Sequence, residues 1–394
     1  MIGPQPQLRR VLTFWPLLLY GLGVIVGAGI YVAIGTVIAR AGDAAPVAFL
    51  VAGITAAMTG LCYAELASRF PEAAGSVVYV KHGFGSTVLS SLTGLGVAIA
   101  VAISAASIAR GAIDYLAELL AWPHWCLLLL LIVTCTAIAA YGVKQSVWLA
   151  AALGMMEIGG LIAAMIVGLL VAPELHVRSM LPADIAAWRG TVAGAFIAFF
   201  AFIGFETLAN LAEETKDPDR TVPLGILGAI AASIMLYVAV AAAAVLSHST
   251  PDRPLLDMFS SVGIRLFAAI GFLAVGNGAL VQIVMLSRLF YGMACNDQLP
   301  ALFGRVNPRT GTPLPATMLA GCIVTIAAIV VSFEQLLVLS NLLTLAIFVL
   351  VDLALWRLKL IGGLVSPGFS APAWVPPVAA VLAAGLMLTE LLHW

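Results

Sequence analysis

Two glycine-broken stretches inside long apolar segments constrain this chain more than any other feature. They are Val26-Gly27-Ala28-Gly29-Ile30 and Phe202-Ile203-Gly204-Phe205-Glu206, and they lie 177 residues apart, Gly27 to Gly204. Each segment is long enough to cross a bilayer. A helix broken in hydrocarbon frees N–H and C=O groups that lipid cannot satisfy, so the break must line a cavity within the protein. Two breaks in corresponding halves predict a binding site between them, near mid-membrane.

Composition supports a membrane location. The 394 residues are 62% hydrophobic and 9% charged, with mean hydropathy +1.11. A soluble domain carries roughly 25% charged residues. Net charge is −1 and gives no argument for a nucleic-acid partner; none is expected. At about 20 apolar residues per crossing, eleven spans are predicted, at about 13–40, 44–68, 86–119, 124–143, 146–172, 191–212, 223–247, 263–294, 313–332, 335–357 and 373–393. Pro223 and Pro313 suit the first turn of a helix. Barrel strands would show polar alternation over about ten residues, whereas residues 11–39 carry no charge. The expected fold is therefore an all-α membrane protein, one domain over 1–394. Repeat one covers about 13–172, repeat two about 191–357, and an extra helix about 373–393. Spans 1 and 6 are the discontinuous helices of a 5+5 inverted repeat.

With the N-terminus inside, twelve Lys and Arg fall on the cytoplasmic side and six outside. This predicts a multi-pass protein of the plasma membrane, with the bacterial inner membrane expected and the N-terminus cytoplasmic. Arg9 and Arg10 precede an apolar run without a small-residue cleavage site, which reads as a retained first span. The five cysteines show no CxxC spacing and the five histidines no metal-ligand spacing. No metal or cofactor is expected. Walker, dinucleotide and nucleophile-elbow motifs are missing from the sequence, so neither ATP-driven transport nor an enzyme is expected.

The first break supplies Gly27-Ala28-Gly29, whose amides are not obstructed by large side chains. A half-helix starting near Ile30 would aim N–H groups and its positive dipole end at a carboxylate. Close packing through small residues is the alternative. In span 6, unwinding near Ile203-Gly204 would expose carbonyls to a substrate ammonium, with Phe200 or Phe202 as lid. Two carboxylates stand out. Glu157 lies about 20 Å along the helix from Lys144 and about 25 Å from Glu174, and it is the one ionisable group in span 5. Glu206 directly follows the second break. Burial disfavours the charged form, which suits proton carriage at Glu157; a neutral structural acid is the alternative. Glu206 is expected to bind or gate, or else to cap the helix after the break. Ser104, Ser107 and Asn277 are candidate cavity-lining groups. Asp352 and Glu390 are expected near helix ends, reaching interfacial water.

At these residues the chain resembles the amino acid–polyamine–organocation (APC) superfamily in four places. They are Gly23 to Tyr31 (GVIVGAGIY), and Tyr63 to Gly75 (YAELASRFPEAAG) with Tyr79 and Phe84-Gly85. The third runs from Phe199 through Glu206 to Pro223, and the fourth comprises Ser287-Arg288, Tyr291 to Ala294, Leu299-Pro300 and Pro313. The resemblance implies a LeuT-like fold and alternating-access transport of amino acids or related amines. It implies that Gly27, Ala28, Gly29 and Ile30 hold the substrate carboxylate. Carbonyls at Val24, Ile25, Phe200 and Ile203 would take the amine, and Phe200 would be the aromatic gate. Glu206 is linked to gating or amine recognition. Relatives have twelve or fourteen spans against eleven expected here. The family's frequent span-5 lysine falls at Glu157, so coupling is expected there with H⁺ preferred over Na⁺; Na⁺ would need span-1 carbonyls and a hydroxyl such as Ser287.

The leading expectation is secondary transport of a neutral α-amino acid, proton-coupled or by exchange. A cationic amino acid or polyamine with Glu206 as counter-charge is the rival. A non-transporting sensor of the same fold is the second. Oligomeric state is left open.

Overall fold

The computed structural model describes residues 12–71, 75–141, 147–172, 180–259, 261–295, 298–307, 310–363 and 368–392. Among these the regular elements are all helices, and the one β-bridge joins Leu12 to Thr215. The helices in chain order are α1 (Phe14–Val26), α2 (Ala28–Ala41), α3 (Ala45–Arg69), α4 (Gly75–Phe84), α5 (Thr87–Ala117), α6 (His124–Tyr141) and α7 (Val147–Val171). They continue with α8 (Ile185–Ala198), α9 (Glu206–Ala209), α10 (Pro218–Leu246), α11 (Ser261–Cys295), α12 (Leu314–Val330), α13 (Phe333–Leu360) and α14 (Val375–Leu391). Short 3₁₀ turns intervene, the important one being Phe199–Phe202 between α8 and α9.

Eight of the described helical segments are long and apolar enough to cross a membrane, one of them the 56-residue run Phe14–Arg69 that holds α1 to α3. α12 and α14 are shorter apolar helices of 17 residues each. At 1.5 Å per residue these reach about 25 Å, slightly less than the ~30 Å hydrocarbon layer. Among the described residues, each segment expected to span is mainly helical, as a chain without water to satisfy its backbone must be. The ten-residue α4, between the second and third spans, was not anticipated.

Local chemistry sets several boundaries. Ser86 and Asp184 accept from the amides of Leu89 and Ala187 and so cap α5 and α8, and Ser332 with Gln335 forms a capping box at α13. The Asp184 cap starts α8 six residues before the expected 191. Pro313 precedes α12 as its cap residue. Pro223 is a correction: it lies inside α10, because Pro218 takes the first turn and the helix begins five residues earlier than expected.

The second span of each half, α3 and α10, pack along one another, as do the third spans, α5 and α11. α1 lies between α7 and α10. The direction of α1 and α2 gives the bundle two distinguishable ends. Thr13, Thr215 and the end of α3 lie at one; Arg40 lies at the other with Glu334 and Glu390, to which it is salt-bridged at 2.8 and 2.6 Å.

Asn341 of α13 serves the interrupted helix directly. Its Nδ2 donates to the carbonyls of Phe196 at 2.7 Å and Ile197 at 3.4 Å, just before the chain switches into the 3₁₀ turn. Asn341→Ala should therefore lower the unfolding midpoint of the purified protein in detergent, by an amount corresponding to about 0.5–1.5 kcal/mol per hydrogen bond lost. A midpoint unchanged from wild type would show that these carbonyls do not need Asn341.

Candidate functional site

The chain breaks where the glycines predict. Gly27 leaves helical geometry (φ −38°, ψ −115°), ending α1 and starting α2. No side chain caps α2, and the first amides of a helix have no partner within it. In the second break, Ile203 is extended and Gly204 adopts φ +128°, a conformation that L side chains rarely enter. A Cβ on Gly204 would also stand 2.8 Å from Val24 Cγ1, and one on Gly29 would stand 2.6 Å from the Ala201 Cα. The two interruptions are thus in backbone contact, at a distance only glycine permits. Tyr237 of α10 joins them: its fully buried hydroxyl lies 2.7 Å from the Ile25 carbonyl and 2.9 Å from the Ala201 carbonyl.

Between the breaks and the helices facing them lies a cavity of about 220 Å³. This is below the ~300–1,000 Å³ of pockets that take drug-sized ligands, and so suits a small solute. Val24, Gly27, Ala28 and Gly29 line one side, and Phe200, Ile203 and Glu206 the adjoining side. Glu157, Ser104 and Asn277 complete the expected residues that reach it. The remaining wall is largely apolar, from residues such as Val97, Val101, Val281, Met285, Ile347 and Phe348.

Four expected residues do not line the cavity. Ile25 is turned away, with its carbonyl accepting from Tyr237. Ile30 is packed in the core. Phe202 lies edge-on to Tyr237 with ring centroids 5.0 Å apart, leaving Phe200 as the aromatic on the wall. Ser107 donates to the Ile103 carbonyl one turn back, the usual role of a serine in a buried helix. Ser287 pairs with Thr317 at 2.7 Å and is also absent from the wall, so it is not directed at the span-1 carbonyls.

The two carboxylates differ in setting. Glu206 Oε2 accepts from the Gly204 amide at 2.8 Å, so this side chain both caps the break and faces the cavity. Glu157 is 1% exposed. Its Oε2 stands 3.4 Å from where a Gly27 Cβ would lie and has no hydrogen-bond partner; its Oε1 receives only a long contact, 3.5 Å, from Asn277 Nδ2. Glu157 and Glu206 are the only charged residues on the wall among the described residues.

The cavity is one-sided. Its outer lining comes from Tyr20 of α1, Ser76 and Val77 of α4, and Thr207 and Asn210 after the second break, all toward the Thr13 end. No residue of α2 beyond Gly29 contributes. On the Arg40 side the path is filled. Tyr31 donates to the Glu157 carbonyl at 2.8 Å, Tyr115 donates to the Tyr31 carbonyl at 2.9 Å, and Tyr31 stacks on Phe267.

Asp352 and Glu390 are corrected by the structure. Asp352 is 0% exposed within the bundle, accepting from Thr59 Oγ1 at 3.0 Å. Glu390 is 3% exposed because Arg40 covers it. Sequence reasoning missed Tyr20, Ser76, Asn210, Gln282 and Thr344 on the wall and Tyr237 behind it. Single polar residues in apolar helices are the signal they leave, but the facing side follows only from packing.

The sequence profile of the amino acid permease family matches residues 12–386. The chain belongs to this family, within the amino acid–polyamine–organocation superfamily. Among its relatives, this chain is 30% identical over 335 residues to cationic amino acid transporter 9, chloroplastic, of Arabidopsis thaliana, covering 77% of this chain and 58% of that protein. It is 30% identical over 380 residues to cationic amino acid transporter 3, mitochondrial, of the same plant, covering 89% and 62%. The methylthioribose transporter of Bacillus subtilis (strain 168) is 29% identical over 417 residues, covering 97% and 88%. The chain thus spans about three fifths of the length of the plant relatives and most of the bacterial one.

Gly29→Ala should lower the unfolding midpoint of the purified protein in detergent, by an amount corresponding to about 1–3 kcal/mol, because the added methyl meets the Ala201 backbone rather than a side chain that can yield. Gly159→Ala, where nothing lies within 4 Å, is the control and should keep the wild-type midpoint. Equal midpoints in the two variants would mean that the contact between the breaks is dispensable.

Proposed function

We propose that this permease moves an α-amino acid across its membrane by alternating access, with Glu157 as the coupling site. The observation that carries the reading is a small cavity between two touching helix breaks, lined by the opening residues of α2, whose first amides no side chain caps. A substrate carboxylate is the natural guest of those amides at Ala28 and Gly29. Its ammonium would face the carbonyls freed near Phe200 and Ile203. The division into two inverted repeats, about 13–172 and 191–357, agrees with the pairing of α3 with α10 and α5 with α11. With the N-terminus inside, as the Lys and Arg distribution favours, the cavity faces the cytoplasm.

For the side chain, the cavity favours a cationic solute over the neutral one expected from the sequence. Both charged residues on its wall are acidic. The buried polar atoms without a partner that belong to lining residues, Glu157 Oε2 and Gln282 Oε1, are both acceptors. A wall with spare acceptors suits a solute rich in N–H donors, while the apolar surface accommodates the aliphatic stem of a lysine or arginine. Two relatives named as cationic amino acid transporters point the same way.

Counterflow in proteoliposomes is the deciding experiment. Preloaded L-arginine should accelerate uptake of labelled L-arginine; binding without counterflow would make the protein a sensor of the same fold. Glu206→Gln should lower L-arginine uptake at least about tenfold, corresponding to about 1.4 kcal/mol or more, while leaving neutral amino acids largely unaffected. Equal losses for both classes would sink the cationic reading. Coupling is tested at Glu157, where glutamine cannot take up a proton. Glu157→Gln should abolish accumulation driven by a pH gradient but retain exchange, and accumulation that survives intact would remove Glu157 from the mechanism.

A further inference from the structure

A heavily compensated buried charge lies outside the cavity, at the Thr13 end. Glu65, near the end of α3, is 0% exposed. Its Oε2 is 2.7 Å from Lys359 Nζ at the end of α13, and its Oε1 is 3.3 Å from Arg69 one turn on. The chain leaving α13 closes over the pair. The Ala371 amide donates to Glu65 Oε2 at 2.9 Å, and Lys359 Nζ donates to the Ala371 carbonyl at 2.7 Å. Alongside, the Phe369 amide donates to Ser68 Oγ at 3.1 Å.

A buried carboxylate tolerates this setting only when paired and hydrogen-bonded, and removing one partner strands a charge in low dielectric. Half-made versions of the cluster are therefore disfavoured, which leaves two stable arrangements, complete or hydrated. Its position connects it to the cavity. α3 leads into α4, which supplies Ser76 and Val77 to the mouth, and Tyr63 of α3 is tied to Ser76 by a 2.7 Å hydrogen bond. α13 supplies Thr344, Ile347 and Phe348 to the wall. The cluster thus fastens two sides of the mouth together in a conformation where that mouth is open.

We propose that Glu65 and Lys359 are positioning residues forming a latch that holds the permease open at the Thr13 end, and that the latch separates when the mouth closes. The latch deepens the alternating-access reading of the same cavity and rests on it. Hydrogen exchange of the full chain in detergent, without substrate, tests it by comparing wild type with Lys359→Met and Lys359→Arg. Lys359→Met accelerates exchange at residues 368–371 about tenfold and slows it in α4, as the unlatched mouth closes. Lys359→Arg, which keeps the cation, does neither. Acceleration confined to 368–371 with α4 unchanged means a local brace and overturns the latch. Where Lys359→Met does not fold, the double variant Glu65→Gln, Lys359→Met carries neither charge and gives the same comparison. In proteoliposomes, the unlatched variant raises the KM for L-arginine at the Thr13 face and lowers it at the opposite face, each about threefold. Equal shifts at both faces overturn the latch. Absence of flux in wild type overturns the transport reading instead, and the exchange comparison still judges the latch.

Discussion

Everything in this bundle is arranged around backbone that a lipid environment cannot satisfy. Two helices are interrupted at the same depth, and each free N–H and C=O must find a partner or face a cavity. The structure meets this in three ways. Asn341 takes the carbonyls before the 3₁₀ turn, the single Tyr237 hydroxyl proton is shared between one carbonyl from each interrupted helix, and the Glu206 carboxylate takes the Gly204 amide. The amides opening α2 are left for the cavity. Gly29 and Gly204 bring the two interruptions into backbone contact, so the groups left unpartnered on each converge on one small volume.

The same condition sorts the buried acids. Glu65 is surrounded by Lys359, Arg69 and a backbone amide, which makes it a stable fixture that joins helices. Glu206 is half structural, since it caps the break it also faces. Glu157 has only the long contact from Asn277 and leaves one oxygen without a partner beside Gly27. A carboxylate held so sparsely is not explained as a structural element, and it lies where the interrupted helix meets the cavity. Asp352 is buried with a hydroxyl donor from Thr59 and the Cys62 thiol beside it, and lies off the cavity.

The pattern of charges along the chain misled where burial depends on distant partners. Glu390 lies near the end of the last helix, and only the approach of Arg40, 350 residues away, covers it. Asp352 is eight residues from the end of α13, but α3 packs over it. Pro223 marks a helix start by itself and loses that role once Pro218 is seen to start the helix earlier. Ser107 and Ser104 are three residues apart on α5, yet only Ser104 reaches the cavity, where Gln282 of α11 meets it. Small shifts in helix rotation decide such cases, and an apolar helix with little amphipathicity leaves almost no trace of its rotation in the sequence.

By itself the sequence determined the membrane class, the helical spans, the positions of both breaks and the family. These follow from local properties: hydrocarbon admits only internally bonded backbone, and glycine alone permits the geometry at Gly204 and the close approach at Gly29. Only the tertiary structure decided that the breaks touch, that Tyr237 lies against both of them, and that the cavity opens toward the Thr13 end. It also decided that both charged groups on the wall are acidic, which shifts the proposed solute from neutral to cationic. Those outcomes depend on which faces of separate helices meet, and that is set by packing between residues far apart in the chain.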